Sequence, residues 1–242
     1  MIDCIIQART GSSRFPNKIF NKISDTKNVL EFLIEQLKNS KLINQIIIAT
    51  TNSKSDDVIV EFCEQNNLKC FRGNETNVLE RYFQCAKFFK SKNILRITSD
   101  CPLIDPELID IGIKKFLDGK YDYLSNSIPP TFPHGLDFQI FTFSTLQIAF
   151  KNASLYSEKE HVIPYIINNS NKFKIFKMKN EKNFSKYRIT IDWKEDLELV
   201  QQIIKQISSR PINMEHIITT FKNHPELIKI NSKYFKNIDY LK

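Results

Sequence analysis

The regular exchange of short apolar runs for longer amphipathic stretches constrains this chain more than any other feature. Residues 2–6 and 45–50 are nearly unbroken apolar runs, and 69–71 is a third short run. Residues 29–39 and 55–66 between them place apolar side chains at helical spacing. Strands that are covered on both faces lose the in-out alternation of a half-exposed strand, so this pattern predicts βαβ units around a mainly parallel sheet. Residues 77–90 continue it as a helix, with Val78, Leu79, Tyr82, Phe83 and Ala86 on one face, and 94–98 form the next buried strand. In such α/β sheets the functional loops gather at the carboxyl ends of the strands. The loops after Ile6 and after Thr98 are therefore expected on the same side.

Beyond this frame, Asp105 and Pro106 read as the cap and first residue of a helix reaching Phe116. The region 125–136 is rich in Ser, Asn, Pro and Gly and reads as loop, 137–141 as a strand and 145–151 as a helix. Ser157 with Glu160 suggests a capping box on a helix through Ile167, 173–178 and 188–191 suggest edge strands, and the chain from Lys194 onward is expected to be helical. The length suits one α/β unit over 1–242 with a small inserted arm around 121–178. The balance of 35 basic against 27 acidic residues favours anionic partners. The cations are scattered, with no basic run interleaved with aromatics, so nucleic acid is not the expected partner. Five cysteines, an odd number with no C-x-x-C pair, suggest reduced thiols. No apolar run has membrane-spanning length and no leader precedes the first strand, which points to a cytoplasmic protein.

Three groups of residues suggest chemistry. Gln7-Ala8-Arg9-Thr10-Gly11-Ser12-Ser13-Arg14-Phe15-Pro16-Asn17-Lys18 joins the first strand to a small-residue turn carrying Arg9, Arg14 and Lys18. Backbone N–H groups in such a turn can cradle phosphate oxygens while the cations neutralise them; the alternative is a solvated basic turn. It is not a Walker loop, since Phe15-Pro16-Asn17 stands where a glycine should precede the lysine. Asp100, at the mouth of the 94–98 strand, could hold Mg²⁺ against phosphates or merely form the turn. Asp192 follows the run Arg188-Ile189-Thr190-Ile191 in the same manner, and Glu195 and Asp196 read as favourable charges in the first turn of the next helix.

The order of these segments resembles the cytidylyltransferases that activate sugar acids as CMP derivatives. The form Gln-Ala-Arg-x-Gly-Ser-x-Arg is most similar to the spore-coat polysaccharide biosynthesis F-type branch. Arg96-Ile97-Thr98-Ser99-Asp100-Cys101-Pro102 resembles the second signature, with Ser99 where many relatives carry glycine. Asn77-Val78-Leu79-Glu80-Arg81-Tyr82 resembles a third, with Asn77 replacing Asp. Gly135-Leu136-Asp137-Phe138-Gln139 resembles an acceptor-lining segment, with Gln139 replacing Glu, and Glu160-His161-Val162-Ile163-Pro164-Tyr165 resembles a branch signature, with Ile163 replacing Thr.

The resemblance implies a Rossmann-like three-layer nucleotidyltransferase fold, CTP and Mg²⁺, a small anionic acceptor and a homodimer. It also implies that Gln7, Ala8, Arg9, Gly11, Ser12, Arg14, Lys18, Arg81 and Asp100 lie at the nucleotide, with Arg9, Lys18 and Asp100 catalytic. Asp100 and Asp192 would hold the metal, and Gly135, Asp137, Gln139 and His161 would face the acceptor. Arg81 has two other readings, a buttress for the first loop or a surface ion pair, and His161 could equally be a packed helix residue. The competing function is a nucleotide-sugar-dependent glycosyltransferase. That class needs an Asp-x-Asp pair at a strand end, which neither Asp56-Asp57 nor Asp100-Cys101 supplies.

Overall fold

The structure, a computed structural model, describes residues 1–237; the last five positions of the expected 1–242 unit lie outside the described residues. Seven strands form one sheet in the order β3-β2-β1-β4-β6-β5-β7. They are β1 (Ile2–Gln7), β2 (Ile43–Thr51), β3 (Lys69–Gly73), β4 (Asn93–Thr98), β5 (Tyr123–Ser125), β6 (Gln139–Thr142) and β7 (Ile175–Lys177). β6 pairs antiparallel with both β4 and β5, and every other neighbouring pair is parallel.

Helices cover both faces. On one lie α1 (Val29–Lys38), α2 (Asp57–Gln65), α4 (Pro106–Asp118), α8 (Lys194–Gln206) and α9 (Met214–Asn223), packed over Cys4, Ile6, Ile48, Leu95 and Ile97. On the other lie α3 (Val78–Phe88), α5 (Phe143–Asn152), α6 (Tyr156–His161) and α7 (Pro164–Asn168), over Ile5, Ile47, Ala49, Ile94 and Phe141. Successive residues of β1 enter opposite cores, which is why the strand shows no alternation in sequence. Each fully buried isoleucine there contributes about 1.5–3 kcal/mol. The expected α/β sheet with a helical layer on each face is thus present, and no helix among the described residues is long and apolar enough to cross a membrane.

The chain winds from β1 outward through β2 and β3, then returns to place β4 on the other side of β1. Connections therefore diverge above the carboxyl ends of β1 and β4, opening a crevice where α/β sheets bind ligands. Asp105 caps α4 by accepting from the Glu107 and Leu108 amides, as its place before Pro106 suggests.

Two expectations need correction. Residues 188–191 are not a strand: the segment is extended, with an isolated bridge between Arg188 and His134. Its amides bond instead to loops on either side, Ile189 N–H to the His134 carbonyl at 2.7 Å and Ile191 N–H to the Asp100 carbonyl at 2.8 Å. The helix expected from Ser157 to Ile167 is split. Glu158, not Glu160, accepts from the Ser154 and Leu155 amides, and Val162 takes φ 71° before the chain restarts at Pro164. A proline costs no hydrogen bond in the first turn of a helix, so the break falls there.

Candidate active site

The turn after β1 is shaped by its own polar groups and by Asp56. The Thr10 amide and hydroxyl donate to Asp56 Oδ1 at 2.8 and 2.7 Å, and the Thr51 hydroxyl donates to Oδ2. Burial alone would raise the Asp56 carboxyl, but these donors hold it below the usual range. The Asn17 amide donates to the Thr10 carbonyl at 3.0 Å, with Asn17 at φ 55°, and Phe15 drops into the core. Arg9, Gly11 and Arg14 are left on the outside. A Cβ at Gly11 would meet nothing within 4 Å, so the fold itself does not require glycine there.

Lys18 opens a short 3-10 helix, Lys18–Phe20, and is buried. Its Nζ donates to Asp100 Oδ2 at 2.9 Å, Asp192 Oδ1 at 3.0 Å and the Ile191 carbonyl at 2.8 Å. Burial alone would lower this ammonium, yet the two carboxylates outweigh it and raise the pKa. Conversely, burial would raise the Asp100 carboxyl, but the Lys18 charge and the Thr98 hydroxyl hold it well below the carboxylate range. Arg14 donates to Asp192 Oδ1 at 2.9 Å from the solvent side. Asp100 and Asp192, remote in sequence, thus converge on one cation.

Asp192 is held from behind by residues that short-range pattern does not assign. Arg188 donates to Asp192 Oδ2 at 3.0 Å and to both oxygens of Asp196 at 3.0 and 2.9 Å. Asp196 is fully buried and also accepts from the Asp192 and Trp193 amides and from Asn231. It is the hub of the segment rather than only a first-turn charge. The sole tryptophan, Trp193, stacks on Tyr234 with centroids 4.9 Å apart, and the Arg14 guanidinium lies 5.7 Å from the indole centroid. Gly135, at φ 116°, lets the 133–136 loop touch this segment, since a Cβ would stand 2.7 Å from the Thr190 nitrogen.

The other side of the crevice is different. Gln7 ends β1 and Gln139 begins the antiparallel β6, so both lie at the same end of the sheet. Arg96 joins them, donating from Nη1 to Gln139 Oε1 at 2.7 Å and from Nη2 to Gln7 Oε1 at 2.8 Å. Arg81 on α3 is 2% exposed, and its Nε and Nη1 lack a hydrogen-bond partner. Burial lowers its pKa, and the surface ion pair considered from sequence is not what the residue makes. Gly73 lies against its stem, a Cβ there falling 3.0 Å from Arg81 Cγ.

Of the acceptor-side residues, Asp137 Oδ2 accepts from the Gly135 amide at 3.0 Å and lies 2.9 Å from His134 Nδ1. His161 is exposed at the end of α6, and among the described residues no hydrogen bond or ion pair joins it to Gly135, Asp137 or Gln139. Ala8 is buried and donates its amide to the Ala49 carbonyl, whereas Ser12 Oγ accepts from the Phe15 amide. Both therefore shape the turn.

Comparison with known proteins identifies the family of the chain. A family model described as cytidylyltransferase matches residues 4–218. An uncharacterized protein of Methanocaldococcus jannaschii is 39% identical over 94% of this chain and 93% of its own length. The spore coat polysaccharide biosynthesis protein SpsF of Bacillus subtilis is 29% identical over 92% and 94%. The solved structure of a cytidylyltransferase from Leptospira borgpetersenii superposes with a TM-score of 0.89 at 36% identity, covering 94% of this chain and 96% of that one.

Proposed function

The chain belongs to the cytidylyltransferase family, and from that premise we propose that it uses CTP to activate a small anionic acceptor, an acidic sugar or a related compound, as its CMP derivative. An acceptor oxygen attacks the α-phosphorus, an O–P bond forms in line with the bond that breaks, and pyrophosphate leaves. Such transfers depend on positioning and charge neutralisation more than on covalent help from the protein. The observation that carries the reading is the convergence of Lys18, Arg14, Asp100 and Asp192 beside the turn after β1.

In this reading Gln7, Ala8, Gly11 and Ser12 form the nucleotide-side turn, and Arg9, Arg14 and Lys18 bind the triphosphate. Arg81 supports the nucleotide from beneath, and Asp137 and Gln139 line the acceptor side. Phosphate oxygens are the alternative partners for the cations that Asp100 and Asp192 hold in the free protein. Two carboxylates that already share one cation suit Mg²⁺, which takes one or two carboxylates together with phosphate oxygens and water. No cluster of three or more His, Cys, Asp or Glu among the described residues offers a complete protein cage for an ion. Asp100 and Asp192 would hold Mg²⁺, and the ion would supply charge neutralisation and a lowered pKa for a nearby hydroxyl.

The name of the Bacillus relative suggests surface polysaccharide as the destination. A cytoplasmic homodimer fits the reading, with Ile148 on α5 and Leu155 and Tyr156 at the start of α6 presenting apolar surface. A screen of pyrophosphate release, crossing four NTPs with a panel of acidic acceptors, tests the proposal. Release with CTP alone among the nucleotides supports it. Equal thermal stabilisation by all four NTPs with Mg²⁺ would remove the cytidylyl assignment, since a ligand stabilises only as far as it prefers the native state.

A further inference from the structure

Arg96 is 9% exposed, and the hydrogen-bond partners of its guanidinium are the neutral side-chain oxygens of Gln7 and Gln139. Its Nε has no hydrogen-bond partner, and its guanidinium carbon lies 5.7 Å from the Tyr82 ring centroid. Among the described residues no carboxylate comes within ion-pair distance of it. A guanidinium has five N–H donors, of which these two bonds use two. A buried charge of this kind is costly until an opposite charge reaches it. The residue sits where the nucleotide-side Gln7 and the acceptor-side Gln139 meet, at the open end of the sheet.

We propose that Arg96 receives an oxyanion of the acceptor, a carboxylate or a phosphate, and that Gln139 keeps its charge available by holding the guanidinium without neutralising it. The inference rests on the cytidylyltransferase reading for the crevice but adds a specificity determinant within it. A glutamate at 139 would complete an ion pair inside the protein and leave the acceptor anion no unmatched charge. Glutamine preserves the geometry and transfers the pairing to the ligand.

Three variants separate charge from shape: Gln139→Glu, Gln139→Ala and Arg96→Gln. On CTP-saturated protein, whose triphosphate position is filled, pyruvate serves as the carboxylate probe and inorganic phosphate as the phosphate probe. Gln139→Glu and Arg96→Gln should each weaken the preferred probe about tenfold or more, the scale of one hydrogen bond to a charged group. Gln139→Ala, which loses the hydrogen bond but adds no charge, should weaken the probe clearly less than Gln139→Glu does. Whichever probe responds identifies the oxyanion.

Without any ligand, Gln139→Glu should raise Tm by about 2–4 °C through the new pair, and Gln139→Ala should not. Equal probe loss in Gln139→Ala and Gln139→Glu would show direct amide recognition and overturn the proposal. A lowered Tm in Gln139→Glu would overturn it even if Arg96→Gln fails to fold. Failure of wild-type protein to bind CTP would instead count against the cytidylyltransferase reading of the crevice, and the ligand-free Tm comparison would still decide the charge argument.

Discussion

The two walls of the crevice treat positive charge in opposite ways. On one, Arg14, Lys18 and Arg188 face Asp100, Asp192 and Asp196, and each cation is ion-paired within the protein. On the other, Arg81 and Arg96 are buried with no carboxylate at ion-pair distance among the described residues. The balanced wall is neutralised within the protein, and in the proposed function it would exchange these partners for phosphate and metal. The unbalanced wall stores an electrostatic cost that a bound anion relieves. Under the proposed function, binding to the first would be a swap and binding to the second a gain.

The largest expected effect is on the balanced wall. Lys18→Ala should lower turnover by about 10² or more, the scale for losing one preorganised electrostatic group. Because Lys18 is buried between two carboxylates, the variant should also lose stability, about 1–3 kcal/mol in urea unfolding, from acids left facing each other. Near-normal turnover would break the comparison by reducing this wall to scaffolding.

Asp100→Asn and Asp192→Asn should each reduce Mg²⁺-dependent turnover about 10²-fold, with the double variant little worse than either single, as for groups acting as one unit. Multiplicative losses in steady-state kinetics would indicate separate roles. On the other wall, Arg81→Met should raise the KM for CTP about tenfold while leaving stability unchanged or up to about 1 kcal/mol higher, because it removes an unpaired buried charge. A clear loss of stability on denaturant titration would mean that Arg81 is already paired.

The smallest effect concerns His134 beside Asp137. Burial alone would lower the imidazole, but the hydrogen bond and charge of Asp137 raise it. Protonation is thus favoured more in the folded than in the unfolded chain. The stabilisation is full below the unfolded value of about 6.5 and is lost as pH rises through the raised folded value. His134→Gln should cost about 1 kcal/mol in unfolding measurements near pH 5.5 and clearly less near pH 8.5.

What sequence reasoning could reach follows from the range of the forces involved. β1, β2 and β4 are legible because double-sided burial leaves continuous apolar runs, and Asp105–Pro106 because capping is local. Residues 188–191 misled because alternating Arg, Ile, Thr and Ile imitate a half-exposed strand. In the structure the polar members are buried by partners outside the segment, Asp196 on the next helix for Arg188 and the remote Asp100 carbonyl for Thr190. Asn231 reaches Asp196 only through the tertiary fold, so nothing near either residue announces their contact. Val162 gave no sign of its positive φ, because β-branched residues rarely adopt it. Arg96 did carry a signal: it is a lone cation inside an otherwise buried strand.

The stack of Tyr234, Trp193 and Arg14 gives the molecule its own optical reporter. Indole emission responds to the local electric field and to solvent, and this chain has one indole, next to a guanidinium that also holds Asp192. Any ligand that draws Arg14 toward phosphate changes the surroundings of that chromophore. If phosphate occupies the charged wall as proposed, its binding should be followable in unlabelled protein, in real time, and in variants too slow to assay by turnover.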